Sequence, residues 1–370
     1  MERPSLTIGI EEEYQLVDPH TRELVAYVTQ FLSADRQTMD HREFKSELES
    51  THTYLPTRVC YTVAEAHAEL QEQRLAVQRM AEEKDLAFIA AGTHPFTSWV
   101  TQDVTEFKRF YGRSEDIHRL ARKLLIFGMR IHIGIEDREF LIDAMNVLRY
   151  LLPHLIALST SSPFWQGRET GVKSYRNALF QDFPRTGIPT HFTSWDDYTS
   201  MLQTLLETNC IADRTKIWWD IRPHPEISAL EFRVFDAVPR LDEVIALAGL
   251  VQALVAWHWD MRKRNMTFRI YRRDMILENK WRAIRRGIEG PLIDWGKEAE
   301  VPMRALAQEI LELVDPYLDD LQSREYVVPP IQRILEEGTS AERQLRVYHE
   351  EGTLNAVVDL LIEESRVPTS

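Results

Sequence analysis

Polar and apolar residues alternate over residues 130–135, with Arg130 and His132 on one side and Ile131 and Ile133 on the other, the period of a half-buried strand. Residues 7–17 also read as a strand, one that ends at the turn pair Asp18-Pro19. Residues 51–59, rich in Thr, Tyr and Val, predict a further strand, and residues 86–91 a short apolar one that stops at Gly92. Residues 216–221 and 229–235 predict a strand pair joined through Arg222-Pro223-His224-Pro225. Helical spacing begins at 62–85, where Thr62 is placed to cap and Glu65 follows three residues on. The same period predicts helices at 105–127, at 138–159 with a bend at Pro153, and at 194–208 with Ser194 as cap. Beyond Arg240 the chain reads as almost wholly helical, over 241–264, 269–286, 301–321 and 341–365.

No internal repeat, low-complexity tract or Gly/Ser linker interrupts this order. The pattern predicts one α+β domain over residues 1–370, with a sheet-bearing part, 1–238, and a mainly helical part, 239–370. A hydrophobic fraction of 44% over 370 residues suffices for a sizeable core.

Charge narrows the function. The formal net charge is −14, which argues against a sequence-independent nucleic-acid binder and against an anionic membrane surface, since both need a basic stripe. Small anions remain open, because divalent cations can invert the field inside an acidic protein. Cys60 and Cys210 are the only cysteines and form no CxxC pair, so neither a disulfide framework nor a structural zinc site is expected. The first residues lack an apolar signal core, and the most apolar stretch, 244–259, is short and contains His258. The cytoplasm is the expected compartment.

Three short runs carry chemistry. In Gly9-Ile10-Glu11-Glu12-Glu13, strand geometry places Glu11 and Glu13 on one face. Two carboxylates so close need a cation between them; a hard ion such as Mg2+ would serve, and an exposed acidic edge is the alternative. Arg130 and His132 share a face, suited to phosphate and metal or to a hydrogen-bonded structural histidine. Glu231 and Arg233 share another, near Arg222, and read either as a site for phosphate and metal or as cross-strand ion pairs. No GxxxxGK[ST] or GxGxxG loop is present, so a bound nucleotide would rest on carboxylates, metals and arginines.

Taken together, GIEEEYQLVDP, AAGTHPF (90–96), HIG (132–134), ALSTSSPFWQGRETG (157–171) with SYRNALF, WWDIRPHPEISALEFRVFDA and ENKWRAIRRGIEG (278–290) resemble, in order, motifs of the carboxylate–amine ligase branch of the type 2 glutamate–cysteine ligases. The resemblance implies an α+β fold with a glutamine-synthetase-like curved antiparallel β-sheet, flanking helices and a helical C-terminal portion. It implies ATP and Mg2+, with Mn2+ as an alternative ion, and activation of a carboxylate (the γ-carboxylate of glutamate or a similar acid) as an acyl phosphate for attack by cysteine or another amine. Carried over by position, Glu11, Glu13, His132 and Glu231 become metal ligands. Arg222 and Arg233 become catalytic arginines, and Arg130, Asn279 and Arg285 become nucleotide contacts. The resemblance also tilts toward a homo-oligomer acting on small molecules. Two departures stand out: Tyr54 where the family has a Glu, and Arg130 where it has a first His. A phenol is a poor ligand for Mg2+, and a fixed cation repels a metal. A nucleotide- or amino-acid-binding relative with little ligase activity is therefore the alternative, and an acidic helical scaffold a third reading.

Overall fold

The computed structural model describes residues 2–31, 59–97 and 126–368, and for 26–31 the backbone alone. The expected strand at 51–59, except Val59, which is not in a strand, and nearly all of the expected helix at 105–127, with Tyr54, lie outside those residues; the described end of the latter is not helical, since Ile126 bridges to Thr93. Among the described residues the main sheet is six-stranded and antiparallel. It comprises β1 (Ile8–Val17), β2 (Leu24–Phe31), β3 (Ala87–Ile89), β4 (Gly128–Gly134), β5 (Ile221–Pro223) and β6 (Ala229–Asp236). The order is β2-β1-β4-β6-β5, with β3 beside the C-terminal end of β1.

Alternation fixes what each face of β1 meets. Ile8, Ile10, Tyr14 and Leu16 are buried on the side that α1 (Val63–Glu82) covers, and Glu12 is buried with them. Thr62 caps α1 by accepting from the Glu65 N–H, while Glu65 reaches back to the Tyr61 N–H at 2.7 Å. Glu12 takes two bonds from Arg74 of α1, at 3.0 and 2.6 Å, and one from the Tyr14 hydroxyl. Arg74 spends its remaining donors on the Val238 and Pro239 carbonyls.

The expected helix at 138–159 is broken into α2 (Arg138–Leu148), a 3-10 turn at Arg149–Leu151 and α3 (Leu152–Leu158), with Pro153 in the first turn of α3. A first-turn proline lacks only an N–H that has no helical partner there, so it starts a helix. The expected strand pair also changes. Trp218–Trp219 pairs in parallel with Thr186–Gly187, whereas Arg222 and Pro223 are strand residues of β5 and the turn follows at 224–228.

The further helices are α4 (Tyr175–Phe180), α5 (Trp195–Glu207), α6 (Leu241–Lys263), α7 (Arg273–Arg286), α8 (Met303–Leu318), α9 (Arg324–Glu337), α10 (Ser340–Glu351) and α11 (Leu354–Ser365). The stretch expected as one helix at 341–365 divides at Gly352, which adopts positive φ, and Thr353, which caps α11. Helix α6 is buried over most of its length between α1, α2, α8 and α9. It and the 138–158 stretch are long and apolar enough to cross a membrane, but each lies mostly buried within the protein. At Gly249 a Cβ would sit 2.6 Å from Val327, so the α6–α9 approach depends on that glycine.

Candidate active site

The other face of β1 carries the expected chemistry. Register sets it in rows, because directly paired residues point the same way. Gly9, His132, Glu231 and Arg222 lie side by side across β1, β4, β6 and β5. Glu11 stands opposite Arg130 in the next row. Beyond it, the Gly128 N–H donates to the Glu13 carboxylate at 2.7 Å, and Gly128 pairs with Asp236.

These charges compensate one another. Arg130 donates to Glu11 at 2.6 Å and reaches Glu13 at 3.4 Å. The His132 ring lies 2.9 Å from the other Glu11 oxygen. Burial pushes Glu11 up, but Arg130 and His132 outweigh it and hold the carboxyl below the usual range. Glu231 accepts from both Arg222 and Arg233, and against its burial those two cations hold its carboxyl well below the usual range. Burial, with repulsion from Arg130 and Arg222, brings the Arg233 guanidinium down to about 10 despite Glu231. His224 stands edge-on to His132 at 5.3 Å; burial and the His132 charge bring it down to about 4.

Burial excludes a solvated acidic edge for Glu11, and Glu231 forms with Arg222 the cross-strand ion pair that was the alternative reading there. The face brings together Glu11, Glu13, Arg130, His132, Arg222, Glu231 and Arg233. Two expected residues lie elsewhere. The Asn279 amide is spent on the backbone of Ile293, at 2.8 and 2.7 Å, where it clamps the hairpin of β7 (Pro291–Asp294) and β8 (Ala299–Pro302). Arg285 is exposed in the last turn of α7 and makes no hydrogen bond or ion pair among the described residues.

Several partners escaped the sequence reading. Lys280 of α7 forms a buried pair with Asp220 at 2.6 Å. A bulge between Phe232 and Phe235 turns Asp236 onto the same side as Gly128, where strict alternation would face it away from Glu231. There Asp236 accepts from the Ser161 N–H (2.9 Å) and the Ser162 (2.7 Å) and Ser174 (2.8 Å) hydroxyls; burial outweighs Arg176 and these donors and raises its pKa. His94 of the AAGTHPF loop is structural: Nδ1 accepts from the Phe96 and Thr97 N–H groups and Nε2 faces the Arg22 carbonyl.

Oxygen donors with one imidazole suit a hard divalent ion. The arrangement does not supply a resident cage: Arg130 fills the space between Glu11 and Glu13, and among the described residues no three acids or histidines group as metal ligands. In this structure the Arg130 guanidinium compensates the charge of the acidic pair.

In fold the chain is similar to two solved ligases. Glutamate–cysteine ligase from Francisella tularensis, in complex with AMP, superposes with a TM-score of 0.56 at 12% identity, over 99% of this chain and 89% of that one. A bifunctional glutathione synthetase from Pasteurella multocida gives 0.58 at 13% identity over 97% of this chain, which spans 51% of its length. The class so defined is a ligase fold. In sequence, the profile of glutamate–cysteine ligase family 2 matches residues 7–359. A Roseiflexus relative provisionally named glutamate–cysteine ligase 2 is 53% identical over 97% of this chain and 94% of its own. One from Chloroflexus aurantiacus, named likewise, is 49% identical over 98% and 92%. The chain belongs to glutamate–cysteine ligase family 2, and it is an enzyme of the class that forms carbon–nitrogen bonds.

Proposed function

We propose that this protein is an ATP-dependent carboxylate–amine ligase, acting as one catalytic unit on small molecules. The leading acid is the γ-carboxylate of glutamate, and the acceptor is cysteine or another amine. The observation that carries this reading is the buried alternation of carboxylate and guanidinium across four strands, in a chain of this family. A carboxylate oxygen attacks the γ-phosphorus and ADP departs. The amine nitrogen then attacks the acyl carbon, phosphate leaves, and the ammonium proton is released to solvent.

Arg222 and Arg233, fixed through Glu231, stabilise charge spreading over the transferring phosphoryl oxygens. Arg130 adds a nearby fixed cation at the nucleotide. Mg2+, or Mn2+, is read as entering with the nucleotide as part of the substrate, toward Glu11, Glu13, His132 and Glu231. Asn279 acts at a distance through its hairpin, and this reading gives Arg285 no direct contact.

Arg130 between Glu11 and Glu13 favours one alternative, a relative that binds nucleotide or an amino acid with little turnover. ADP release from ATP and Mg2+, screened over acids with and without amines, separates the two. Turnover that needs both an acid and an amine supports the ligase and names its substrates. ATP binding without ADP release for any pair supports the alternative.

A further inference from the structure

Arg176 is out of keeping with its neighbours. The residue is 6% exposed, yet among the described residues the only hydrogen bond its side chain makes is a long one, 3.4 Å, to the Arg233 carbonyl. Among the described residues its Nε and Nη1 groups have no acceptor, and neither has Nε of Arg233 beside it. A buried guanidinium with unmet donors is costly, and native proteins rarely keep one without a use.

The position is built, not accidental. The guanidinium lies over Gly128 on the face that also carries Arg130 and His132. A Cβ at residue 128 would stand 2.3 Å from Nη2 and 2.6 Å from Nε, so only glycine leaves the niche open. The far wall is the Phe180 ring, 5.8 Å from the guanidinium carbon. Asp236 next to Gly128 offers charge but no bond, because Ser161, Ser162 and Ser174 already engage its carboxylate. Those bonds fix the start of α4, where Ser174 caps and Arg176 follows two residues on.

We infer that Arg176, held in the Gly128 niche beside Arg233, is an oxyanion-binding group of this site, and that Gly128 and Asp236 are its positioning residues. The ligand is a phosphoryl or carboxylate group, whose oxygens accept from the unmet N–H donors. The inference rests on the ligase reading for the identity of those groups and on the niche itself for the binding.

The test is titration calorimetry of the full chain with three probes: inorganic phosphate, ATP with Mg2+, and glutamate. Thermal unfolding without ligand is measured alongside. Arg176→Met is expected to lose on the order of 10- to 100-fold in affinity for at least one probe. Arg176→Lys should recover part of the loss, and ligand-free Arg176→Met should unfold no earlier than the parent, since an unsatisfied buried charge has gone. Loss for phosphate and ATP names the phosphoryl source; loss for glutamate alone names the carboxylate. Gly128→Ala, which displaces the guanidinium, should follow Arg176→Met and serves if that variant does not fold. Unchanged affinity for every probe in folded Arg176→Met or Gly128→Ala overturns the inference, as does a parent that binds none of the three. Arg176-dependent phosphate binding without ADP release for any acid–amine pair sinks the ligase reading and leaves this inference standing. Full ligase turnover and unchanged affinities in Arg176→Met do the reverse.

Discussion

Consecutive residues of one strand, Glu11 and Glu12, are both buried and both paired with arginine, yet they sit in opposite kinds of network. On the Glu12 face every partner is used: Arg74 binds Glu12 twice and two carbonyls besides, and Tyr14 completes the set. On the Glu11 face the charges balance but hydrogen bonds do not, and donors on Arg233 and Arg176 lack acceptors among the described residues. A closed polar network rigidifies a core; an open one has capacity left for a ligand. Burial and charge alone do not separate a structural ion pair from a site; unfilled donors on two neighbouring guanidiniums add a reason to read one.

The comparison breaks most sharply at Arg74. Arg74→Met leaves Glu12 buried without its cation and should cost about 3–5 kcal/mol of stability, read by urea unfolding. A loss below about 1 kcal/mol would mean that the Glu12 face is not closed. Glu231→Gln should cost a similar amount, on the order of 3 kcal/mol, because one carboxylate neutralises two buried guanidiniums.

Arg233→Met tests the open side. Its kcat/KM for the best acid–amine pair should fall on the order of 10²-fold, the effect of removing one donor from a transferring group. Parental turnover would remove Arg233 from the chemistry.

Acid sensitivity sharpens the structural side. Burial depresses His94 and His154 from 6.5 to about 4. The unfolded chain binds these protons first, so stability should decline as pH falls from about 6.5 to about 4, by up to about 3 kcal/mol for each histidine. Replacing His94 by Asn should flatten part of that slope in urea midpoints measured across the window; an unchanged slope would contradict the assignment. The smallest effect is Thr62→Ala, which removes the cap of the helix that delivers Arg74 and should cost about 1 kcal/mol with activity retained.

Much of this was legible locally. Alternation placed Glu11 with Glu13, and Arg130 with His132, on single faces, and the Thr62 and Ser194 caps fell where hydroxyls precede helical periods. What was not legible depends on distant chain. Nothing near Glu12 announces Arg74, sixty-two residues on. A bulge in β6 reverses the side on which Asp236 falls, and no residue type marks it. Arg176 lay inside a family-like motif, SYRNALF, but its niche is made by Gly128 on another strand. The split at Asp220 was hidden because Trp218 and Trp219 satisfy a strand pattern while pairing in a different sheet.

The most direct measurement of the central claim is Glu11→Gln, assayed for ADP release with the best acid–amine pair and for unfolding in urea. Arg130 keeps Glu13 as a partner at 3.4 Å, so the loss of stability should be smaller than for Glu231→Gln, about 1–2 kcal/mol, while turnover falls on the order of 10²-fold or more. Parental turnover with parental stability would show that the Glu11 face is not the site of the reaction.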